Sequence, residues 1–252
     1  MTRINLLGVS IDAQPFAAAV TRILGAAADG TRLRGHFVTV HSLVAATSDA
    51  TLREVFGTAE MACTDGMPLV WLGRRQGIAD AERCAGPDVM LAVCDQGRTR
   101  GLRHYFLGGA PGTAELLAKR LAARYPGLQV VGSAAPPFRP PTPAEDAALC
   151  AEIDAATPNV LWVGLGSPKQ DFWAADHQAR LRAPVVLAVG AAFDFHSGRL
   201  RRAPRWMQRL GLEWLFRLAA EPRRLAGRYV STNARFLWLV ARSAVSSAWR
   251  NG

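Results

Sequence analysis

Short apolar runs alternate with helix-length amphipathic segments along most of this chain, and this alternation restricts its possible folds. The runs Phe37–Val40, Tyr105–Leu107 and Val160–Leu165 have the length of buried strands, and segments such as Thr113–Tyr125 have helical spacing. Strands alternating with helices indicate βαβ units. The sequence therefore predicts an α/β fold, with a Rossmann-like, mostly parallel sheet and helices on both faces.

The pattern changes near residue 198, after which only helical segments follow. We expect residues 1–198 to form the Rossmann-like catalytic core and residues 199–252 to form a C-terminal helical appendage. At the other end of the chain, Ile4–Val9 is predicted to be a single strand. One helix is predicted to begin at about Leu43.

The net charge of +10 is concentrated in the appendage, where twelve arginines and only two acidic residues follow Gly198. Such a block predicts an anionic partner, either a membrane surface, a lipid diphosphate or nucleic acid. A solvated basic tail is the alternative. It is disfavoured by the interleaved aromatic residues, which include Trp206, Trp214, Phe216, Tyr229, Phe236 and Trp238.

No apolar stretch is long enough to span a bilayer, and no signal peptide is evident. The four cysteines have no paired spacing, which indicates reduced thiols and no zinc site. We therefore expect a cytoplasmic protein that binds peripherally to the inner face of the cell membrane.

Asp65 follows the apolar run Met61–Cys63 and precedes Gly66. In open α/β sheets the ligand lies at the carboxyl ends of the strands. A carboxylate there is poorly solvated, so its pKa would rise toward the range of a general base. The alternative is that Asp65 caps the following helix.

Two glycine-rich turns enter helices, and a helix N-terminus offers free N–H groups to phosphate. The residues singled out in these turns are Gly108, Gly109, Gly166 and Lys169. The first turn lacks the glycine spacing of the dinucleotide fingerprint, which disfavours a nicotinamide-dependent oxidoreductase, and neither turn is a Walker loop. Either turn alone is equally compatible with a purely structural βα connection, whereas two such turns in one sheet favour a nucleotide diphosphate ligand.

Carboxylate pairs of the kind that hold a metal on a sugar nucleotide are missing from the predicted strand ends. The pairs present are Asp80 with Glu82 and Glu152 with Asp154, and neither pair ends a strand. This predicts a site without metal or other cofactor. Arg83 would grip the leaving diphosphate instead.

Seven segments, in their order along the chain, resemble the WecG/TagA/CpsF family of bacterial glycosyltransferases (glycosyltransferase family 26). They are Thr39–His41, Cys63–Pro68, Glu82–Asp88, Phe106–Gly112, Val163–Gln170, Gly190–Gly198 and an arginine-rich stretch from Arg202 to Leu225.

The resemblance implies an inverting, metal-independent transferase with a UDP-sugar donor and a polyprenyl-diphosphate-linked acceptor, acting in exopolysaccharide or cell-surface glycan synthesis. The family's proposed base falls on Asp65. Other functional positions of the family fall on Thr39, His41, Arg83 and Gln170, and appendage arginines that complete the site fall on Arg217, Arg224 and Arg228.

Two positions depart from the family pattern, because His41 replaces an Asn and Thr64 replaces a Pro. Both lie at the predicted sugar pocket, so the donor remains open among glucose, N-acetylmannosamine and its uronic acid. A basic nucleic-acid-binding protein is the second hypothesis, which the apolar residues of the appendage disfavour. The oligomeric state is open, and a homo-oligomer is compatible with the sequence.

Overall fold

A computed structural model describes the backbone of residues 2–248, and side chains there except those of Arg224, Arg228 and residues 244–248. The strands are β1 (Thr2–Leu6), β2 (Val9–Ala13), β3 (Leu33–Val38), β4 (Met61–Thr64), β5 (Arg103–Gly108), β6 (Gln129–Ala134), β7 (Val160–Gly164) and β8 (Val185–Ala188). They form one sheet in the order β1-β2-β4-β3-β8-β7-β5-β6. Strands β1 and β2 are antiparallel, whereas all other neighbouring pairs are parallel.

Helices cover both faces of this sheet. They are α1 (Phe16–Asp29), α2 (Val40–Ala46), α3 (Ala50–Thr58), α4 (Met67–Arg75), α5 (Gly86–Gly97), α6 (Thr113–Arg124), α7 (Pro143–Ala156), α8 (Lys169–His177), α9 (Ala192–Ser197), α10 (Arg205–Arg209), α11 (Glu213–Ala220) and α12 (Pro222–Ala248). The predicted α/β class and the mostly parallel, Rossmann-like sheet are therefore confirmed.

Strand β7 shows why the sheet needs two helical layers. Val160 and Trp162 pack into a cluster formed with α1, α5, α6 and α9, whereas Leu161 and Val163 pack into a cluster with α7 and α8. Alternate side chains of a strand point to opposite faces. A strand that is apolar at every position is consequently buried on both sides.

Two sequence predictions were wrong in detail. The segment predicted as one strand, Ile4–Val9, is a hairpin in which Leu7 and Gly8 form the turn between β1 and β2 with positive φ angles of 55° and 86°. The single helix predicted from about Leu43 is two helices, α2 and α3. A new helix begins after Asp49, whose side chain accepts a hydrogen bond from the Leu52 amide at 3.0 Å and caps α3.

The segment after residue 198 is helical, and it packs on the rest of the chain. Phe236 of α12 is buried in the same cluster as Val38, Leu43 and Val44 of the β3–α2 region. No described helix is both long enough and apolar enough to cross a bilayer. The predicted boundary near residue 198 stays a prediction.

The ends of β5 and β7 approach closely at Gly108. This residue has a φ of 130°, and a Cβ placed on it would lie 2.5 Å from the carbonyl oxygen of Gly164. The neighbouring Gly109 amide donates to that same oxygen at 2.9 Å. Gly108 is thus required by backbone packing, whatever its contact with a ligand.

We predict that Gly108→Ala lowers the free energy of unfolding by about 3 kcal/mol, because the new methyl group meets backbone and φ stays positive. Gly25→Ala is the matched control. Gly25 lies within α1, and a methyl group there would have open space around it, so this change should be neutral or stabilising by up to about 1 kcal/mol. Urea unfolding of both variants tests this, and equal stability of the two would contradict it.

Candidate active site

A cavity of about 710 Å³ lies where β3, β4, β7 and β8 end, and helices α4, α11 and α12 contribute its other walls. This volume is within the range of sites for small molecules. Its position agrees with the rule that ligands bind at the carboxyl ends of strands in open α/β sheets. The cavity is therefore the candidate active site.

The structure brings most of the predicted site residues to this cavity. Those that line it are Thr39, His41, Asp65, Arg83, Gly166, Gln170 and Arg217. Gly108, Gly109 and Lys169 are not among the lining residues, so their predicted contact with a ligand has no support from the cavity. Arg224 and Arg228 lie on α12, but their side chains are outside the described part of the chain.

Asp65 lies directly after β4, where its backbone amide donates to the Val38 carbonyl at 2.8 Å. Gly66 then turns the chain with a φ of 138° and serves as the N-cap of α4, which has no side-chain cap. The capping role considered for Asp65 is therefore wrong. Burial raises the pKa of the Asp65 carboxyl, and the nearby Arg83 only partly offsets this effect.

Arg83 stands beside Asp65 because the segment preceding α5 runs along the end of β4. The Cys84 amide donates to the Thr64 carbonyl at 2.9 Å, and the Thr64 hydroxyl donates to the Glu82 carbonyl at 3.2 Å. This brings the Arg83 Nε within 3.2 Å of Asp65 Oδ1. Burial alone would lower the pKa of Arg83, but the carboxylates of Asp65 and Glu213 outweigh burial and raise it.

The same guanidinium reaches the C-terminal segment. Arg83 Nη2 lies 2.5 Å from Oε2 of Glu213, at the start of α11. Arg202 contacts the other oxygen of Glu213 at 3.4 Å and grips both oxygens of Asp88 at 2.5 and 2.8 Å. A chain of ion pairs thus runs from Asp65 through Arg83, Glu213 and Arg202 to Asp88, and joins the sheet to α11.

Glu213, Arg202 and Asp88 lie within the segments that resemble the family. The sequence alone gave none of them a functional role. Glu213 is 130 residues from Arg83 in the chain. A signal was available, since Glu213 is one of only two acidic residues in the basic segment. An isolated carboxylate among arginines and tryptophans indicates a specific cationic partner.

Arg217 differs from Arg83 and Arg202, which are already paired with carboxylates. Its Nε is buried and has no hydrogen-bond partner among the described residues. Its guanidinium carbon lies 5.8 Å from the ring centroid of Phe195, and that of Arg202 lies 5.9 Å from the same ring. The ring holds Arg217 at the cavity wall, where an anion would satisfy its unpaired N–H.

Thr39 and His41 are engaged within the protein. The Thr39 hydroxyl caps α2 by accepting from the Ser42 amide at 3.2 Å, in a reciprocal capping box. His41 Nδ1 lies 3.1 Å from the hydroxyl of Thr232 on α12. Both residues line the cavity, and His41 additionally joins α12 to α2.

Gln170 is buried, and it braces two turns at the cavity floor. Its Oε1 accepts from the Gly166 amide at 3.2 Å. A Cβ on Gly190 would lie 3.2 Å from this oxygen, so glycine at that turn leaves space for the amide group. The described position of Gln170 is consistent with its predicted role in the site.

The carboxylate pairs weighed as metal ligands lie away from the cavity lining. Glu82 accepts from the Phe16 amide at 2.8 Å, and Glu152 accepts from the Tyr105 hydroxyl at 2.5 Å. Among the described residues, one set with metal-binding chemistry clusters elsewhere, formed by Asp146, Cys150 and His177. Asp146 there is already paired with Arg180 at 2.7 Å.

Comparison with known protein families gives one match over most of the chain. Residues 4–250 match the model of the family described as "Glycosyl transferase WecG/TagA/CpsF family". The match includes both the sheet and the C-terminal helices. The resemblance drawn from the sequence motifs is thereby confirmed.

We predict that Arg83 and Glu213 have opposite effects on the pKa of Asp65. Arg83→Gln removes the positive charge that lowers the pKa of Asp65, so this pKa should rise further. Glu213→Gln removes a negative charge that raises it, so the pKa should fall. Carbon-detected NMR titration of the Asp65 carboxyl measures both, with Asp65→Asn to assign the resonance.

Arg98→Gln is the control for this experiment, because Arg98 is half exposed and pairs with Asp95 outside the cavity lining. It should leave the Asp65 titration unchanged. Shifts of the same sign in Arg83→Gln and Glu213→Gln would contradict this account, because the two charges would then not act on Asp65 in opposite directions.

Proposed function

Because the chain belongs to the WecG/TagA/CpsF family, whose members are glycosyltransferases of cell-surface glycan synthesis, we propose that it transfers a hexose from a UDP-sugar to a polyprenyl-diphosphate-linked saccharide. The transfer inverts the anomeric configuration and uses no metal. Glucose, N-acetylmannosamine and its uronic acid are the candidate hexoses. The product is a precursor of an exopolysaccharide or another cell-surface glycan.

The observation that carries this proposal is the partly buried Asp65, which lines the cavity and whose pKa is raised by desolvation. A base whose pKa lies nearer to neutrality accepts a proton more effectively than an ordinary carboxylate. In the proposed step the acceptor hydroxyl forms a bond to the anomeric carbon. The bond to the UDP oxygen breaks on the opposite face, and the hydroxyl proton passes to Asp65.

The leaving diphosphate needs cations, and the described site offers Arg217 with its unpaired, buried Nε. Arg83 contributes positive charge, although Asp65 and Glu213 already neutralise much of it. We propose that Arg224 and Arg228 act together with Arg217. Fixed cations that stabilise charge as it develops on the leaving group are the usual substitute for a metal ion.

A peripheral membrane position is the second part of the proposal. Seven large hydrophobic side chains of the described C-terminal segment are exposed, and they are Trp206, Leu210, Trp214, Leu215, Val230, Leu237 and Trp238. Tryptophans among arginines suit the interface of an anionic membrane. The inner face of the cell membrane would then present the lipid-linked acceptor to the cavity. No observation favours nucleic acid as the partner.

We predict that Asp65→Asn lowers kcat by about 10²- to 10⁴-fold, the usual contribution of a positioned base, while folding and UDP binding persist. The assay follows transfer from UDP-hexoses in the presence of EDTA, where the wild-type protein should remain active. Asp95→Asn is the control, since Asp95 is half exposed and lies outside the cavity lining. Normal turnover by folded Asp65→Asn, or loss of wild-type activity in EDTA that Mn²⁺ restores, would contradict the mechanism.

We predict that replacing Trp206 and Trp238 by Ser weakens binding to phosphatidylglycerol vesicles by about tenfold, because apolar burial and lipid charge act together at the interface. Neither side chain lines the cavity, so turnover with a water-soluble acceptor should remain unchanged. Phe138→Ser, at a side chain 80% exposed outside this segment, is the control. Unaltered co-sedimentation of the double variant would contradict this role of the tryptophans. It would favour the alternative in which the C-terminal segment is a solvated basic tail.

A further inference from the structure

A hydrogen-bonded relay connects the cavity wall to the interior of the sheet. Ser167 lines the cavity in the loop between β7 and α8, and its hydroxyl lies 2.7 Å from Oδ2 of Asp171. The other oxygen of Asp171 lies 2.8 Å from Nδ1 of His36, on β3. Asp171 is 3% exposed, and His36 is fully buried. Nothing in the mechanism at Asp65 requires this arrangement.

The polarity of the relay follows from the carboxylate at its centre. An ionised carboxylate only accepts hydrogen bonds, so both of its partners must donate. His36 therefore carries its proton on Nδ1, while its buried Nε2 has no partner among the described residues. Ser167 has one proton, and that proton is committed to Asp171. The Ser167 oxygen can then only accept a hydrogen bond from a group in the cavity.

An acceptor-only hydroxyl selects among the parts of a sugar nucleotide. Phosphate oxygens also only accept, and the nearby Asp171 carboxylate repels them, so the diphosphate is excluded from this position. A hexose hydroxyl donates and is favoured. The cavity wall at Ser167 thus favours a sugar hydroxyl, whereas the wall at Arg217 favours an anion.

We propose that Ser167 recognises one hydroxyl group of a hexose by accepting a hydrogen bond from it, and that Asp171 and His36 are positioning residues that fix this polarity. The inference rests on the proposed glycosyl transfer and names a specificity-determining residue for it. The hydroxyl belongs either to the donor hexose or to the acceptor saccharide, which present the same chemistry.

Asp171→Asn is the informative variant, because it changes polarity without changing shape. An asparagine has one accepting oxygen and one donating amide. The Nδ1–H of His36 requires the oxygen, so the amide faces Ser167 and donates to it. The Ser167 proton is then released toward the cavity, and the site no longer requires a donating group from the sugar.

The test compares sugars in which single hydroxyls are replaced by fluorine, which cannot donate. The wild-type protein should prefer the hydroxyl over fluorine by about tenfold at one ring position, the usual cost of leaving a polar group unpaired. In Asp171→Asn this preference should fall to near one. Ser167→Ala should abolish the same preference, and it keeps the test decisive if Asp171→Asn does not fold.

Asp176→Asn is the matched control, because Asp176 is exposed on the same helix, α8, and should retain the tenfold preference. Deoxyfluoro UDP-hexoses are tested first, by calorimetric binding without acceptor and by kcat/KM. Deoxyfluoro acceptors follow with the natural donor. A preference seen in donor binding identifies the donor hexose as the source, whereas one seen only with acceptor analogues identifies the acceptor.

A preference that persists unchanged in both Asp171→Asn and Ser167→Ala would overturn the inference and leave the proposed transfer intact. Altered binding of UDP alone in these variants would also overturn it, since the group recognised would then not be a sugar hydroxyl. A wild-type protein that neither binds nor transfers from any UDP-hexose would overturn both proposals.

Discussion

The pairing of Arg83 with two carboxylates, Asp65 and Glu213, is the interaction on which the rest of the site depends. Three charges taken largely out of water are tolerated only while each one has its partner. Removal of one member of a buried pair typically costs about 3–5 kcal/mol, because the remaining charge stays buried and unpaired. The C-terminal segment therefore contributes a charge to the active site, since Glu213 lies on α11 and Asp65 directly follows strand β4 of the sheet.

This constraint explains how one cavity can support both proton transfer and anion binding. Burial raises the pKa of Asp65, and Arg83 limits that rise, so the carboxyl group is adjusted by its neighbours. Arg83 is largely neutralised by its partners, whereas Arg217, which also lines the cavity, has a buried Nε with no hydrogen-bond partner among the described residues. In the proposed function, the acceptor hydroxyl contacts Asp65 and the leaving diphosphate contacts Arg217.

Much of the fold could be predicted from the sequence, because apolar runs such as Val160–Leu165 are local signals. Asp65 and the direction of its pKa shift were also predictable, since the end of an apolar strand is itself a poorly solvated position. The hairpin turn at Leu7 was missed because its short strands resemble one apolar run. The link between Arg83 and Glu213 was missed because 130 residues separate the partners, and only the three-dimensional packing of α11 brings them together.

A double-mutant cycle on kcat/KM tests most directly whether Glu213 acts on the base through Arg83. The cycle uses Asp65→Asn, Glu213→Gln and the double variant in the UDP-hexose transfer assay, with each protein's folding checked by circular dichroism. If Glu213 acts through the ion-pair chain, its substitution should change kcat/KM in the wild-type background and have little further effect once Asp65 is Asn. Additive losses in the double variant would contradict the account, because they would show that Glu213 and Asp65 serve the reaction independently.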